Sequence, residues 1–92
     1  MNNSEPSEIP INGVLDLHTF QPSEVRDLIR VYISECLKRD IYSVRIIHGK
    51  GQGIMRKIVQ SSLRKIPEVT EFRTADEQGG GWGATIVNLR GE

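Results

Sequence analysis

Two histidines follow short apolar segments whose alternating pattern predicts β-strands. His18 ends the first segment, and Asp16 precedes it by two residues, a spacing that puts both side chains on the same face of a strand. A carboxylate next to an imidazole can orient the ring for work as a general acid or base. An Asp-x-His pair is more often a surface pair that closes a strand, so this motif needs support from the rest of the chain.

His48 ends the second segment and opens a glycine-rich turn, residues 48–53, that leads into a predicted helix. Glycines let backbone N–H groups approach an anion closely, and the start of a helix adds partial positive charge. The turn lacks the Gly-Lys-Ser/Thr ending of nucleoside-triphosphate loops, so a backbone phosphate of a polynucleotide fits better than ATP. A helix start that merely needs glycines in order to turn is the alternative. The phosphate-binding residues predicted here are Gly49, Lys50, Gly51, Gly53, Arg56 and Lys57.

The formal net charge of the chain is zero, but the charges are unevenly distributed. Residues 38–65 carry eight basic side chains and one acidic side chain, whereas the segments on either side carry more acids than bases. A segment of this kind can build a local field that attracts phosphate. The same pattern is equally consistent with a solvated basic helix face that has no partner.

The single tryptophan, Trp82, stands in a glycine-rich stretch just before the last predicted strand. Exposed there, its ring would stack on an unpaired base, a contact worth about 1–3 kcal/mol; folded inward, it would cover a small core. Thr85 lies just inside that strand and is a candidate hydroxyl donor to phosphate, although an ordinary β-branched strand residue is the simpler interpretation. Cys36 lies on the apolar stripe of a predicted helix, where a buried small hydrophobic residue is expected.

The spacing of apolar residues predicts the element order β-α-β-α-β-β. Helical crossovers make the first three strands parallel, and the last strand, which no helix precedes, is expected to run antiparallel to them. With both helices on one face of this mixed sheet, the fold class is a two-layer α/β sandwich. The predicted strands cover residues 14–17, residues 43–49, Val69–Thr74 and Ala84–Leu89, and the predicted helices cover residues 22–39 and residues from 54 to before Pro67.

This topology brings the separate motifs to one place. The carboxyl ends of parallel strands lie at the same sheet edge, so His18 and His48 are expected there. An antiparallel fourth strand begins at that edge, which places the glycine-rich loop of residues 79–83 close to both histidines. Three motifs that are distant in sequence therefore meet where open α/β sheets bind their ligands.

The three motifs together resemble the signatures of the small MutS-related (Smr) domain family. The matching segments are residues 15–18 (Leu-Asp-Leu-His), residues 48–51 (His-Gly-Lys-Gly) and residues 79–85, in the family's order and over roughly residues 13–90. The resemblance implies a β-α-β-α-β-β sandwich like the C-terminal domain of translation initiation factor three. It also implies a domain that binds nucleic acid and, in many members, nicks DNA or cleaves RNA.

Carried onto this chain, the resemblance implies that Asp16 and His18 matter for cleavage and that residues 48–51 serve binding and cleavage. His48 is then a candidate for protonating the leaving oxygen, in a scheme with two histidines and no required metal. Metal assistance, with Asp16 and water holding a divalent cation such as Mg²⁺, is the alternative. Thr19 stands where the family often has glycine, and this departure favours binding over catalysis.

Two function classes follow, and a third ranks below them. The first is an endonuclease in which Asp16 orients His18, while Lys50 and the amides of residues 49–53 stabilise the charge of the phosphorane. The second is a non-catalytic module that binds structured RNA, branched DNA or the ribosome through the same surface. A protein–protein adaptor is the third, and it predicts association that is insensitive to salt.

Length and composition set the remaining expectations. At 92 residues and 10.4 kDa the chain has room for one domain, which excludes a full dinucleotide-binding fold. Residues 1–12 are polar and contain Pro6 and Pro10, so they are predicted to be a flexible arm before an Smr domain of residues 13–92. One cysteine excludes an internal disulfide. No signal peptide or membrane span is predicted, so we expect a stand-alone cytoplasmic protein with no membrane partner.

Overall fold

The computed structural model describes residues 9–49, 53–75 and 83–91. The element order is the predicted one, and most boundaries agree within two residues of the prediction. The first strand ends at Asp16 and the second at Ile47. After Ile47 the His48 N–H still donates in register to the Gly83 carbonyl, but the Gly49 N–H donates to the same oxygen, so the regular ladder between the second and last strands stops there. The elements are β1 (Val14–Asp16), α1 (Pro22–Lys38), β2 (Ser43–Ile47), α2 (Ile54–Leu63), β3 (Val69–Thr74) and β4 (Ala84–Leu89).

The four strands form one mixed sheet in the order β1-β2-β4-β3. β1 and β2 are parallel, and β4 runs antiparallel to both β2 and β3. The three strands that helices connect therefore share one direction, and the prediction of an antiparallel fourth strand is confirmed. β4 lies between β2 and β3, so the last strand of the chain is an inner strand of the sheet.

Side-chain alternation along the strands divides the sheet into two different faces. Leu15, Val44, Ile46 and Val87 point toward the helices and are at most 1% exposed. The helices contribute their apolar stripes to the same core, with Cys36 among the fully buried residues, as its position on the stripe predicts. The helical residues buried in this core are Val25, Ile29, Tyr32, Ile33, Cys36, Val59 and Leu63.

α1 begins at a proline, which suits the first helical turn because a missing N–H costs nothing there. The Gln21 N–H donates to the Glu24 carboxylate at 2.8 Å, which satisfies a donor at the helix start. In the described ranges, neither α1 nor α2 is long and apolar enough to cross a membrane.

Residues 9–12, assigned to a flexible arm by their composition, pack against the folded domain. Ile9 and Ile11 lie against the core cluster, and the Tyr32 hydroxyl bonds the carbonyl oxygens of Pro10 (3.4 Å) and Val14 (3.1 Å). The two isoleucines are two residues apart, so an extended chain presents both to the same surface. The folded unit thus extends to at least Ile9, and residues 1–8 lie outside the described residues.

The Tyr32 hydroxyl anchors this segment, and its removal should measurably lower the free energy of unfolding. This buried hydroxyl also accepts the Gly13 N–H at 3.1 Å, and burial raises the pKa of the phenol, which keeps its proton for donation. Tyr32→Phe should lower the free energy of unfolding by about 1–3 kcal/mol in urea denaturation, because the Gly13 N–H is left buried and unpaired. Tyr42→Phe is the matched control, since the Tyr42 hydroxyl bonds Asp40 at an exposed site. Equal midpoints for the two variants would contradict the anchoring role.

Candidate functional site

The strand register joins the ends of β1 and β2 to the start of β4. Asp16 lies opposite Ile47, and Ile47 lies opposite Ala84. We call this edge of the sheet the rim and define it as residues 16–18, 48–49 and 83–85. The three predicted motifs do meet here, in the part of each that the structure describes.

The Asp16–His18 pair is the exposed part of the rim. One carboxylate oxygen, Asp16 Oδ1, accepts both the His18 backbone N–H at 3.0 Å and a bond from the ring Nδ1 at 2.8 Å. These bonds hold the pKa of Asp16 below its usual range, so the group stays an acceptor at neutral pH. A carboxylate can only accept, and the proton in the pair therefore sits on Nδ1. The His18 side chain is 73% exposed, and among the described residues no hydrogen bond engages its other nitrogen, Nε2, so the lone pair of this nitrogen can accept a proton when the ring is neutral.

His48 lies at the same rim but points into the domain. Its side chain is 8% exposed, its Nε2 lies 2.8 Å from the Thr85 hydroxyl, and its Nδ1 lies 3.0 Å from the Gly49 carbonyl. The Gly49 carbonyl can only accept, so Nδ1 carries the proton and Nε2 accepts from Thr85. Burial is the main cause that lowers the pKa of His48; the bond to the Gly49 carbonyl opposes this shift, and the nearby charge of Arg56 adds to it. His48 is therefore a neutral ring with both nitrogens engaged.

Thr85 shares this buried position. Its side chain is fully buried, and its hydroxyl bonds His48 across 37 positions of sequence. Two backbone hydrogen bonds join the same two segments: the His48 and Gly49 N–H groups donate to the Gly83 carbonyl at 2.8 and 2.9 Å. The sequence predicted His48 as a proton donor and Thr85 as a phosphate ligand, but the structure shows the two side chains bonded to each other. Their bond links the second motif to the third.

The start of α2 supplies the described part of the glycine-rich turn. Gly49 and Gly53 have φ values of +84° and +86°, a region that disfavours other residues. A Cβ atom at either position would meet nothing within 4 Å, so the backbone conformation, and not a lack of space, requires glycine. Gly53 is the N-cap of α2 and offers no side-chain cap, and the first turn contains no acid. The helix start is thus electropositive, with Arg56 and Lys57 on its first turn.

The basic segment is divided by the fold. α1 and α2 both end at the sheet edge opposite the rim, so Lys38, Arg39, Arg64 and Lys65 lie far from the Asp16–His18 pair. At that edge Arg39 pairs with Glu35 at 2.6 Å, and Arg64 lies over the Phe72 ring. α1 and α2 both begin at the rim, but the first turn of α1 contains the acid Glu24, whereas the first turn of α2 contains no acid and carries Arg56 and Lys57. Lys50, Gly51 and Trp82, predicted to bind phosphate or base, lie outside the described residues.

Sequence reasoning missed two features of this region. It did not anticipate the Thr85–His48 bond, because no local pattern links positions so far apart. It also placed Arg45 only within the basic segment. The structure puts Arg45 on the sheet face opposite the helices, where Ile86 lies between Arg45 and Arg73. Among the described residues, no group of three or more His, Cys, Asp or Glu side chains is arranged to hold a metal ion.

Comparison of the chain with known proteins identifies its family. The family model described as the Smr domain matches residues 15–90. Endonuclease MutS2 of Staphylococcus carnosus is 36% identical over 76 residues, which cover 83% of this chain and 10% of that protein. Endonuclease MutS2 of Helicobacter pylori is 37% identical over 75 residues, covering 82% and 10%. The chain therefore spans about a tenth of the length of these relatives.

Two solved structures agree with the fold. The Smr domain of Thermus thermophilus MutS2 superposes with a TM-score of 0.80 at 29% identity, covering 86% of this chain and 99% of that one. YdaL, a stand-alone small MutS-related protein from Escherichia coli, gives a TM-score of 0.81 at 32% identity, covering 91% and 70%. The resemblance inferred from the three motifs is confirmed by both comparisons, and the chain belongs to the Smr domain family.

Proposed function

We propose that this domain binds nucleic acid at the rim and cleaves a phosphodiester bond there, with His18 as the catalytic acid–base group. The matching relatives carry the name endonuclease, and nucleic acid is the substrate class that name implies. The observation that carries the proposal is the exposed imidazole of His18, which the Asp16 carboxylate holds by two hydrogen bonds to one oxygen.

The arrangement supports a defined proton transfer. His18 Nε2 takes the proton from the attacking oxygen, which is the neighbouring 2′-hydroxyl on RNA or a water molecule on DNA. The new oxygen–phosphorus bond forms as the bond to the leaving oxygen breaks, and the leaving oxygen takes its proton from the imidazolium or from solvent. Backbone N–H groups at the start of α2, with Arg56, stabilise the negative charge on the nonbridging phosphate oxygens in the transition state.

In this proposal His48 and Thr85 position the glycine-rich turn and do not contact the substrate. Their mutual bond, with the two N–H bonds to the Gly83 carbonyl, holds the glycine-rich turn against the start of β4. The buried ring of His48 has no free nitrogen to offer a leaving oxygen. A substrate-binding surface built from two distant motifs needs such a link, because a shift of about 1 Å in the catalytic geometry costs roughly a hundredfold in rate.

A binding module without catalysis is the second candidate function, and a specific observation favours it. Among the described rim residues, only His18 and its partner Asp16 are exposed acid–base groups, because His48 is buried. The described rim therefore has no second exposed histidine that could protonate the leaving oxygen. Binding to RNA, DNA or the ribosome would use the same electropositive helix start.

A cleavage assay separates the two functions. The purified protein would be incubated with end-labelled single- and double-stranded RNA and with supercoiled DNA, each with Mg²⁺ or with EDTA, alongside His18→Ala. Cleavage that survives EDTA and is lost in the variant supports metal-independent chemistry at His18. Cleavage that EDTA abolishes points to the metal-assisted alternative at Asp16. Binding with no cleavage above that of the variant would establish the binding module.

Salt dependence tests the phosphate contacts at the start of α2. Arg56→Gln should weaken binding to a single-stranded oligonucleotide and reduce the steepness of log K against log salt by about 0.7, the value for one lost phosphate contact. Fluorescence anisotropy between about 50 and 200 mM salt measures both quantities. Lys65→Gln is the control of equal charge at the opposite sheet edge, and it should leave the slope unchanged. The same loss in both variants would show that net charge, and not this position, governs binding.

A further inference from the structure

The sheet face opposite the helices carries a row of side chains that the proposed function does not use. In this row Val14 lies opposite Arg45, Arg45 opposite Ile86, and Ile86 opposite Arg73. Directly paired residues point to the same side of a sheet, so all four side chains stand on this face. We call these four residues the arginine row. Val14 is 40% exposed, and both arginines are exposed.

The two arginines present their charge outward. Within the described residues neither guanidinium forms an ion pair, whereas Arg30 and Arg39 on α1 are bonded to Asp27 and Glu35. β4 separates Arg45 from Arg73, so their backbones are two strand spacings, roughly 10 Å, apart. Two guanidinium groups at that separation can contact different phosphates of the same strand.

The arginine row is continuous with the rim. Arg45 precedes Ile47 by two residues, and Val14 precedes Asp16 by two, so the row lies roughly 7 Å along the strands from the Asp16–His18 pair. Asp16 points to the same face as the row because it alternates with the buried Leu15. The arginine row is therefore within reach of a strand that is bound at His18.

We infer that the arginine row is a second nucleic-acid contact, which binds the phosphates of a single strand leaving the rim. The inference rests on the proposed function and extends it to a defined path. Ile86 lies between the two arginines and offers an apolar side chain to unstacked bases, which a duplex keeps inside its base stack. Beyond the row Glu71 accepts a bond from the Asn88 amide at 2.7 Å, and its carboxylate marks the far end of the path because it repels phosphate.

The test is the double variant Arg45→Gln/Arg73→Gln, in which glutamine keeps a polar side chain but removes both charges. Binding of a labelled 20-nucleotide oligouridylate and of the matching oligothymidylate would be measured by anisotropy at several salt concentrations. Loss of two phosphate contacts should reduce the salt slope by about 1.4 and weaken binding roughly tenfold or more at 0.1 M salt. Comparing the two oligonucleotides shows whether the row favours RNA or DNA.

Arg30→Gln is the control, because it removes a charge from the helical layer on the other side of the molecule; it should bind like the wild type. The melting temperature of each variant shows whether it has folded. Wild-type affinity and slope in a folded double variant would overturn the inference, leave the proposed function intact and make an acidic protein segment the better partner for this face. A wild-type protein that binds neither oligonucleotide would overturn both proposals.

Discussion

Replacing His18 with alanine should lower the cleavage rate by about 10²–10⁴-fold, the range that general acid–base catalysis contributes, while affinity stays within about twofold. The side chain is 73% exposed, and among the described side chains only Asp16 forms a hydrogen bond with the ring, so its removal should disturb neither the core nor the start of α2. The measurement is cleavage under single-turnover conditions beside anisotropy binding with the same oligonucleotide, because only this pairing separates chemistry from recognition.

Asp16→Asn tests whether Asp16 positions the ring of His18. An asparagine keeps the shape of the side chain, but it presents either an oxygen or an amide to Nδ1 and no longer selects one tautomer of the ring. We therefore expect a cleavage rate between those of the wild type and His18→Ala. Added imidazole should restore part of the activity of His18→Ala but not that of Asp16→Asn. Cleavage by His18→Ala at the wild-type rate would remove His18 from the mechanism.

His48→Ala should lower the free energy of unfolding by about 2–4 kcal/mol. The change leaves the buried Thr85 hydroxyl without its partner, which costs about 1–3 kcal/mol, and opens a cavity behind the rim. Thr85→Val removes the same bond from the other side at nearly constant volume. In a double-mutant cycle measured by urea denaturation, the two changes should be strongly non-additive, since both break one interaction. Additive effects would contradict a direct bond in solution.

The same histidine should make stability depend on pH. Burial lowers the pKa of His48 in the folded state, so below about pH 6.5 the unfolded chain binds a proton that the folded chain resists. This contribution to stability is complete above the unfolded value and is lost as pH falls toward the folded value, with a slope of at most about 1.4 kcal/mol per pH unit. His48→Asn should lack this part of the dependence between pH 7.5 and 5. An unchanged pH profile in that variant would show that the ring is not held neutral.

Local sequence patterns were sufficient to predict the helices and strands of this domain. Val69–Thr74 and Ala84–Leu89 lie where their alternation predicts them, and Pro22 begins α1 as its fixed φ favours. These features depend on neighbours within a few residues, which the sequence shows directly. The amphipathic stripe of α1, with Cys36 in it, likewise predicts which residues are buried, because the helical period alone determines which residues share a face.

What the sequence by itself determined about this protein is its family, its elements and the meeting of three motifs at one sheet edge. The tertiary structure alone decided the different environments of its two histidines. The strand period shows that Asp16 and His18 share a face, but the helices decide which face is covered, and so His18 is open to solvent while His48 is buried against Thr85. The arginine row depends on the insertion of β4 between β2 and β3. Strand order and register are set by packing between distant segments, and no local pattern contains that information.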